Sequence, residues 1–204
     1  MEYLWEDEIR AFEEGDRGNP PAKGLTVLVG SSILRMWDGR KYFPDIPHYN
    51  RCFGGARTWE LNRYYPRLVP RLAPSRVVYY CGSNDLCADR NAAQVLEGFR
   101  TFLGMFRLDF PETELLYLSI LRSPSKKNLF GEIHAINRAV EEQSRRESHM
   151  IFLDLNPALS LGGPDPDPSF FVEVGRNLGA SVEILPIGSL NPYVGYRFNA
   201  LFRK

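Results

Sequence analysis

Three short polar segments carry the residue types that acyl transfer needs. Val29-Gly30-Ser31-Ser32-Ile33 offers serine hydroxyls beside backbone N–H groups. A serine exposed at the end of a strand can attack a carbonyl, and neighbouring N–H groups can stabilise the oxyanion that forms. Phe53-Gly54-Gly55-Ala56 offers glycines that bring backbone close to a ligand or adopt positive φ. Cys81-Gly82-Ser83-Asn84-Asp85 offers an amide donor, Asn84. Taken singly, each has a plainer reading. Ser31 or Ser32 caps a helical turn, Gly54-Gly55 makes a bend, and Asn84 forms an Asx-type turn. Their joint occurrence after the first three apolar segments, in chain order, raises all three above those plainer readings.

The elements that must position these loops are legible as alternating patterns. Leu25 to Gly30, Tyr49 to Phe53, Arg76 to Cys81, Leu115 to Leu121 and Met150 to Leu155 are short, nearly continuous apolar runs. Such runs suit a parallel sheet covered on both faces. From Ala92 to Leu108, Val95, Leu96, Phe99, Phe102, Leu103 and Phe106 form one helical stripe, which Asp109-Phe110-Pro111 ends. A second helix is expected from about Leu129 to Arg146, and a weaker one over Thr58 to Leu68, where Pro66 and Pro70 interrupt or close it. Strands alternating with helices predict an α/β fold: an open, three-layer α/β/α sandwich of about five parallel strands. Ligands of such folds bind beyond the carboxyl ends of the strands, where the three loops lie.

Together the loops resemble the conserved blocks of the SGNH hydrolase superfamily, the GDSL-type lipases and esterases. Val29-Gly30-Ser31-Ser32-Ile33-Leu34-Arg35-Met36-Trp37 looks like the first block, in the subgroup with Gly-Ser-Ser, and makes Ser32 the nucleophile position. Asn50-Arg51-Cys52-Phe53-Gly54-Gly55-Ala56 looks like the second, with Gly55 as backbone oxyanion donor. Gly82-Ser83-Asn84-Asp85 matches the Gly-x-Asn-Asp of the third, with Asn84 as side-chain donor. Ser31, Gly54, Ser83 and Asp85 are then expected around the pocket. The resemblance runs from the Trp5-Glu6 helix to about Val194. It implies a flavodoxin-like sandwich, a small acyl or carbohydrate ester as substrate, and no metal or organic cofactor.

The fourth block departs from that pattern. The family carries Asp-x-x-His near the C-terminus, and its lead is present as Phe170-Phe171-Val172-Glu173. The ungapped continuation, Val174-Gly175-Arg176-Asn177-Leu178, puts Val174 in the place of the Asp and Asn177 in that of the His. Ile184, Leu185, Leu190, Pro192 and Tyr193 then fall where a final apolar helix and its Pro-Tyr end would lie. A second alignment sets Ser189-Leu190-Asn191-Pro192 against the family's His-Leu-Asn-Pro and also lacks the histidine. His48 and His149 precede strands, at the wrong end of the sheet, and His134 lies inside a helix, so none is placed to serve Ser32. Glu173 is the one carboxylate beside the lost Asp, and alternation turns it away. Neither Asn nor Val can take a proton near neutral pH, so the expectation is an ester hydrolase of weak or lost activity. The alternative is an inactive homologue that keeps the pocket as a binding module.

Composition narrows the remaining classes. The chain has 204 residues with 25 Lys+Arg against 25 Asp+Glu, a formal net charge of zero that argues against a dedicated nucleic-acid binder or membrane-surface protein. Its hydrophobic content of 44% suffices for one core. No apolar run is long enough to span a bilayer and the first residues are acidic, so a cytoplasmic protein is expected. Cys52, Cys81 and Cys87 make no disulfide framework or metal pair, and read as buried or incidental thiols. Expected boundaries are residues 1–23 for an amphipathic helix and Pro-rich linker packed on the domain, 24–194 for the hydrolase-like domain, and 195–204 for a tail. A non-enzymatic interaction module has only the exposed-looking Trp59, Tyr64 and Tyr65 and the N-terminal helix behind it, and aromatics at helical spacing are more often core; the oligomeric state is not legible.

Overall fold

The computed structural model describes residues 5–160, 163–173 and 182–184. In chain order the elements are α1 (Glu6–Gly18), β1 (Thr26–Gly30), α2 (Ser32–Arg35), α3 (Gly39–Tyr42), β2 (His48–Asn50), α4 (Thr58–Leu68), β3 (Arg76–Tyr80) and α5 (Ser83–Cys87). They continue as α6 (Ala92–Asp109), β4 (Glu114–Leu118), α7 (Phe130–Ser144), β5 (Met150–Leu153), α8 (Asn156–Leu159), β6 (Phe171–Glu173) and β7 (Val182–Ile184). β1 to β5 form one parallel sheet in the order β2-β1-β3-β4-β5. This is the expected α/β/α sandwich with five parallel strands.

Strand periodicity divides the core between the two faces. Val27, Val29, Val77, Tyr79, Leu115 and Tyr117 point to one side, where Ile9 of α1, Leu61 of α4, Phe99, Phe102 and Phe106 of α6, and Ile136 and Val140 of α7 cover them. Leu28, Val78, Tyr80, Leu116 and Leu118 alternate to the other side and meet Leu34, Phe43, Cys52, Leu155 and Leu159. Helix α6 begins with a capping box: the Asn91 side chain accepts from the Gln94 N–H, and the Gln94 side chain accepts from the Asn91 N–H, both at 3.1 Å. Helix α4 runs through Pro66 and stops at Leu68, before Pro70.

Four expectations are corrected. The sequence pattern predicts the acidic helix over residues 2 to 15 and the linker from Gly15 to Lys23, but helix α1 continues to Gly18; it is held on the domain by Arg67, which donates to Glu6 and Glu13, and by an Arg51–Asp16 pair. Tyr64 and Tyr65 are buried, Tyr64 edge-on to Phe53 and Tyr65 edge-on to Phe102, which leaves only Trp59 of that trio exposed. The Tyr49 to Phe53 strand starts and ends earlier, at His48–Asn50, because the chain turns away from the sheet to make the second loop. Ile184 belongs to β7, which pairs antiparallel with β6, rather than to a helix; Val182-Glu183-Ile184 carries the β-branched alternation that favours a strand.

Candidate active site

The three loops are stitched together at the carboxyl ends of β1, β2 and β3. Beyond Gly30 the Ser31 N–H still donates to the Tyr80 carbonyl of β3 at 3.0 Å, so the first loop leaves the sheet in step with the third. The Arg51 N–H donates to Leu28 at 2.8 Å and the Phe53 N–H to Gly30 at 3.1 Å, which carries the second loop along β1 to the same level. Asn50 binds the other way: its Nδ2 donates to the Leu34 carbonyl at 2.8 Å, and its Oδ1 accepts from the Cys52 N–H at 3.0 Å. It thereby fixes the short helix that Ser32 begins.

Ser32 is half-buried at the first position of α2, whereas Ser31 is closed off at 2% exposure. Of the two hydroxyls, Ser32 is the one a ligand can reach. Ser32 Oγ makes no hydrogen bond to any described residue.

The donors expected to face an oxyanion come from the other two loops. Gly55 has φ +69°, the left-handed conformation that glycine adopts without strain, and the Trp5 indole packs behind it, 3.2 Å from where a Cβ would stand. The same indole lies 5.7 Å from the Phe53 ring. Asn84 Nδ2 donates to the Ala56 carbonyl at 3.0 Å. An amide nitrogen carries two hydrogens, so this bond holds the side chain in place and leaves one donor for a ligand. The Cys81 thiol donates to the same carbonyl at 3.4 Å. Gly54 is covered by the Arg35 guanidinium, itself paired with Glu8 of α1 at 3.1 Å.

Asp85 is fully buried beneath these donors and turns to Thr58, whose hydroxyl donates to it at 2.6 Å and whose backbone N–H donates at 3.0 Å. Burial raises its pKa, and the Thr58 hydrogen bonds pull the other way. Ser83 is 4% exposed, and its Oγ accepts from Lys126 Nζ.

Sequence reasoning missed four of these partners. Thr58 and Asn50 flank the second loop, Trp5 immediately precedes α1, and Lys126 comes from the turn after β4. Lys126 carried a usable signal, since it follows the carboxyl end of a strand, the side of the sheet where ligands collect.

The histidines stand elsewhere. His48 pairs with Thr26, the first residue of β1, so the length of that strand, roughly 13 Å, separates it from the Ser32 end. Its Nδ1 contacts the Ile46 carbonyl at 2.8 Å. The backbone of His149 bonds Leu115 at the amino end of β4. His134 lines a cavity of about 240 Å³ with Asp154, between α7 and the end of β5. β5 is three strand spacings from β1, roughly 14 Å. Val174 and Asn177, the degenerate base positions, lie outside the described residues, as do Ser189 to Pro192.

Solved structures of the same architecture include lipases and esterases. A GDSL-like lipase from Bacteroides thetaiotaomicron superposes with a TM-score of 0.70 at 13% identity, over 96% of this chain and 97% of that one. A Bacteroides fragilis protein assigned as an acylhydrolase superposes with a TM-score of 0.76 at 14% identity, over 95% of each chain. A carbohydrate esterase of family 3 from Talaromyces cellulolyticus gives 0.60 at 15% identity, over 88% of this chain and 98% of that one. No protein-family model matches the chain, and no curated protein sequence matches it. The chain therefore shares the fold of these GDSL-like lipases and esterases. No helix among the described residues is long and apolar enough to cross a membrane.

Proposed function

We propose that this chain is an SGNH-type serine ester hydrolase that keeps its nucleophile and oxyanion donors but has lost its base. Ser32 attacks the carbonyl of a small acyl or carbohydrate ester, and the Gly55 N–H and Asn84 Nδ2 receive the developing oxyanion. The observation that carries this reading is the Asn84–Ala56 hydrogen bond, which joins the two oxyanion loops beside the strand that delivers Ser32. Val174 and Asn177 supply neither a carboxylate to orient an imidazole nor an imidazole to take the Ser32 proton. In serine hydrolases stripped of such partners, the oxyanion hole and binding alone retain about 10³ to 10⁴ over water, with several orders of magnitude of turnover gone.

The test is p-nitrophenyl acetate hydrolysis by the wild-type chain and by Ser32→Ala. Slow turnover that disappears in the variant supports the reading. Equal rates in the two proteins overturn it, and favour a pocket that binds without reacting.

A further inference from the structure

Lys126 is the cation bonded to the third loop. The turn Pro124–Leu129 after β4 is broken at this residue, with φ −113° and ψ 25°, and its half-buried ammonium donates to Ser83, the residue before Asn84. An ammonium has three donors, and a hydroxyl acceptor uses one without neutralising the charge. The carboxylate closest in sequence to Ser83, Asp85, is turned away and committed to Thr58. The neighbouring Lys127 takes Asp165 at 3.3 Å, and Arg35, the cation over Gly54, takes Glu8. Among the described residues Lys126 has no acidic partner. A half-buried charge held beside an oxyanion donor and left unneutralised is suited to an anionic ligand.

We propose that Lys126 is an anion-binding residue at the rim of the Ser32 site, and that the preferred ester carries a carboxylate or phosphate close to its scissile carbonyl. This rests on the reading of Ser32, Gly55 and Asn84 as an ester site and adds the substrate class. The neutral net charge of the chain does not oppose it, because attraction at this range is set by the local group rather than by the total.

Calorimetric titration tests it without requiring turnover. The probes are monomethyl succinate, with its anion on the acyl side, O-acetylglycolate, with its anion on the alcohol side, and neutral methyl butyrate. At least one anion should bind about ten-fold or more tighter than the neutral ester. That advantage should vanish in Lys126→Met and persist in Lys126→Arg, with thermal melting confirming that both variants fold. Which anion wins identifies the side of the ester that Lys126 faces. Equal binding of anionic and neutral probes, an anion preference unchanged in Lys126→Met, or no binding by the wild-type chain would overturn the proposal. Because binding is read directly, a failed Ser32 assay with an intact Lys126 effect would sink the hydrolase reading alone.

Discussion

Asp85 and Thr58 latch the second loop to the third: a fully buried carboxylate accepts the Thr58 hydroxyl at 2.6 Å and the Thr58 backbone N–H at 3.0 Å. Asn84 sits next to Asp85 and Ala56 two residues before Thr58, so the latch fixes the spacing of the second and third loops. Thr58→Val keeps the shape and removes the hydroxyl, leaving the carboxylate with only the backbone donor. A loss of about 1–3 kcal/mol is expected, or roughly 2–12 °C in Tm for a chain of this size. Thermal melting measures it, and an unchanged Tm would mean that the carboxylate finds another partner.

The latch has a back wall. In α6, Gly98 lies so close to Thr58 that an added Cβ would stand 2.2 Å from the hydroxyl oxygen. Alanine is the better helix former by about 1 kcal/mol, so Gly98→Ala would stabilise an isolated helix. Here the methyl group must push Thr58 off Asp85 or force α4 and α6 apart, at a cost of about 1–3 kcal/mol, and the net effect is destabilising. A lowered urea midpoint with unchanged slope is the expected result.

Acid should release α1 before it unfolds the sheet. The Arg67 guanidinium donates to Glu6 and Glu13 and holds both carboxyls below the usual carboxylate range. A carboxyl with a lowered pKa in the folded state contributes stability that is complete above its unfolded value. That contribution is lost as pH falls through the folded value. Undocking of α1 should therefore begin below about pH 4.5, and Arg67→Ala should make the helix labile at neutral pH as well. Hydrogen exchange over Glu6–Gly18 follows this directly; identical protection at pH 7 and pH 3.5 would contradict it.

The chain order displayed the sheet and the three loops plainly, because both depend on local signals: apolar runs that must be buried on two faces, and small polar residues that must follow them. Helix α4 spans the residues its pattern predicts, Thr58 to Leu68, with Pro66 inside it and Pro70 beyond its end. What escaped notice is long-range. Nothing in the spacing of Asp85 says that its partner is Thr58 rather than solvent, or that Trp5 packs behind Gly55, since each pairing joins segments that meet only after the sheet has formed. The burial of Tyr64 and Tyr65 is long-range in the same way, since a helix read alone does not show its neighbours, here Phe53 and Phe102.

Restoration of the lost base tests the central claim most directly. In Val174→Asp with Asn177→His, p-nitrophenyl acetate hydrolysis should rise about a hundred-fold or more over the wild-type chain, and Ser32→Ala in that background should abolish the gain. A folded double variant with no gain would contradict the account, because it would show that the Ser32, Gly55 and Asn84 machinery is not waiting for a base.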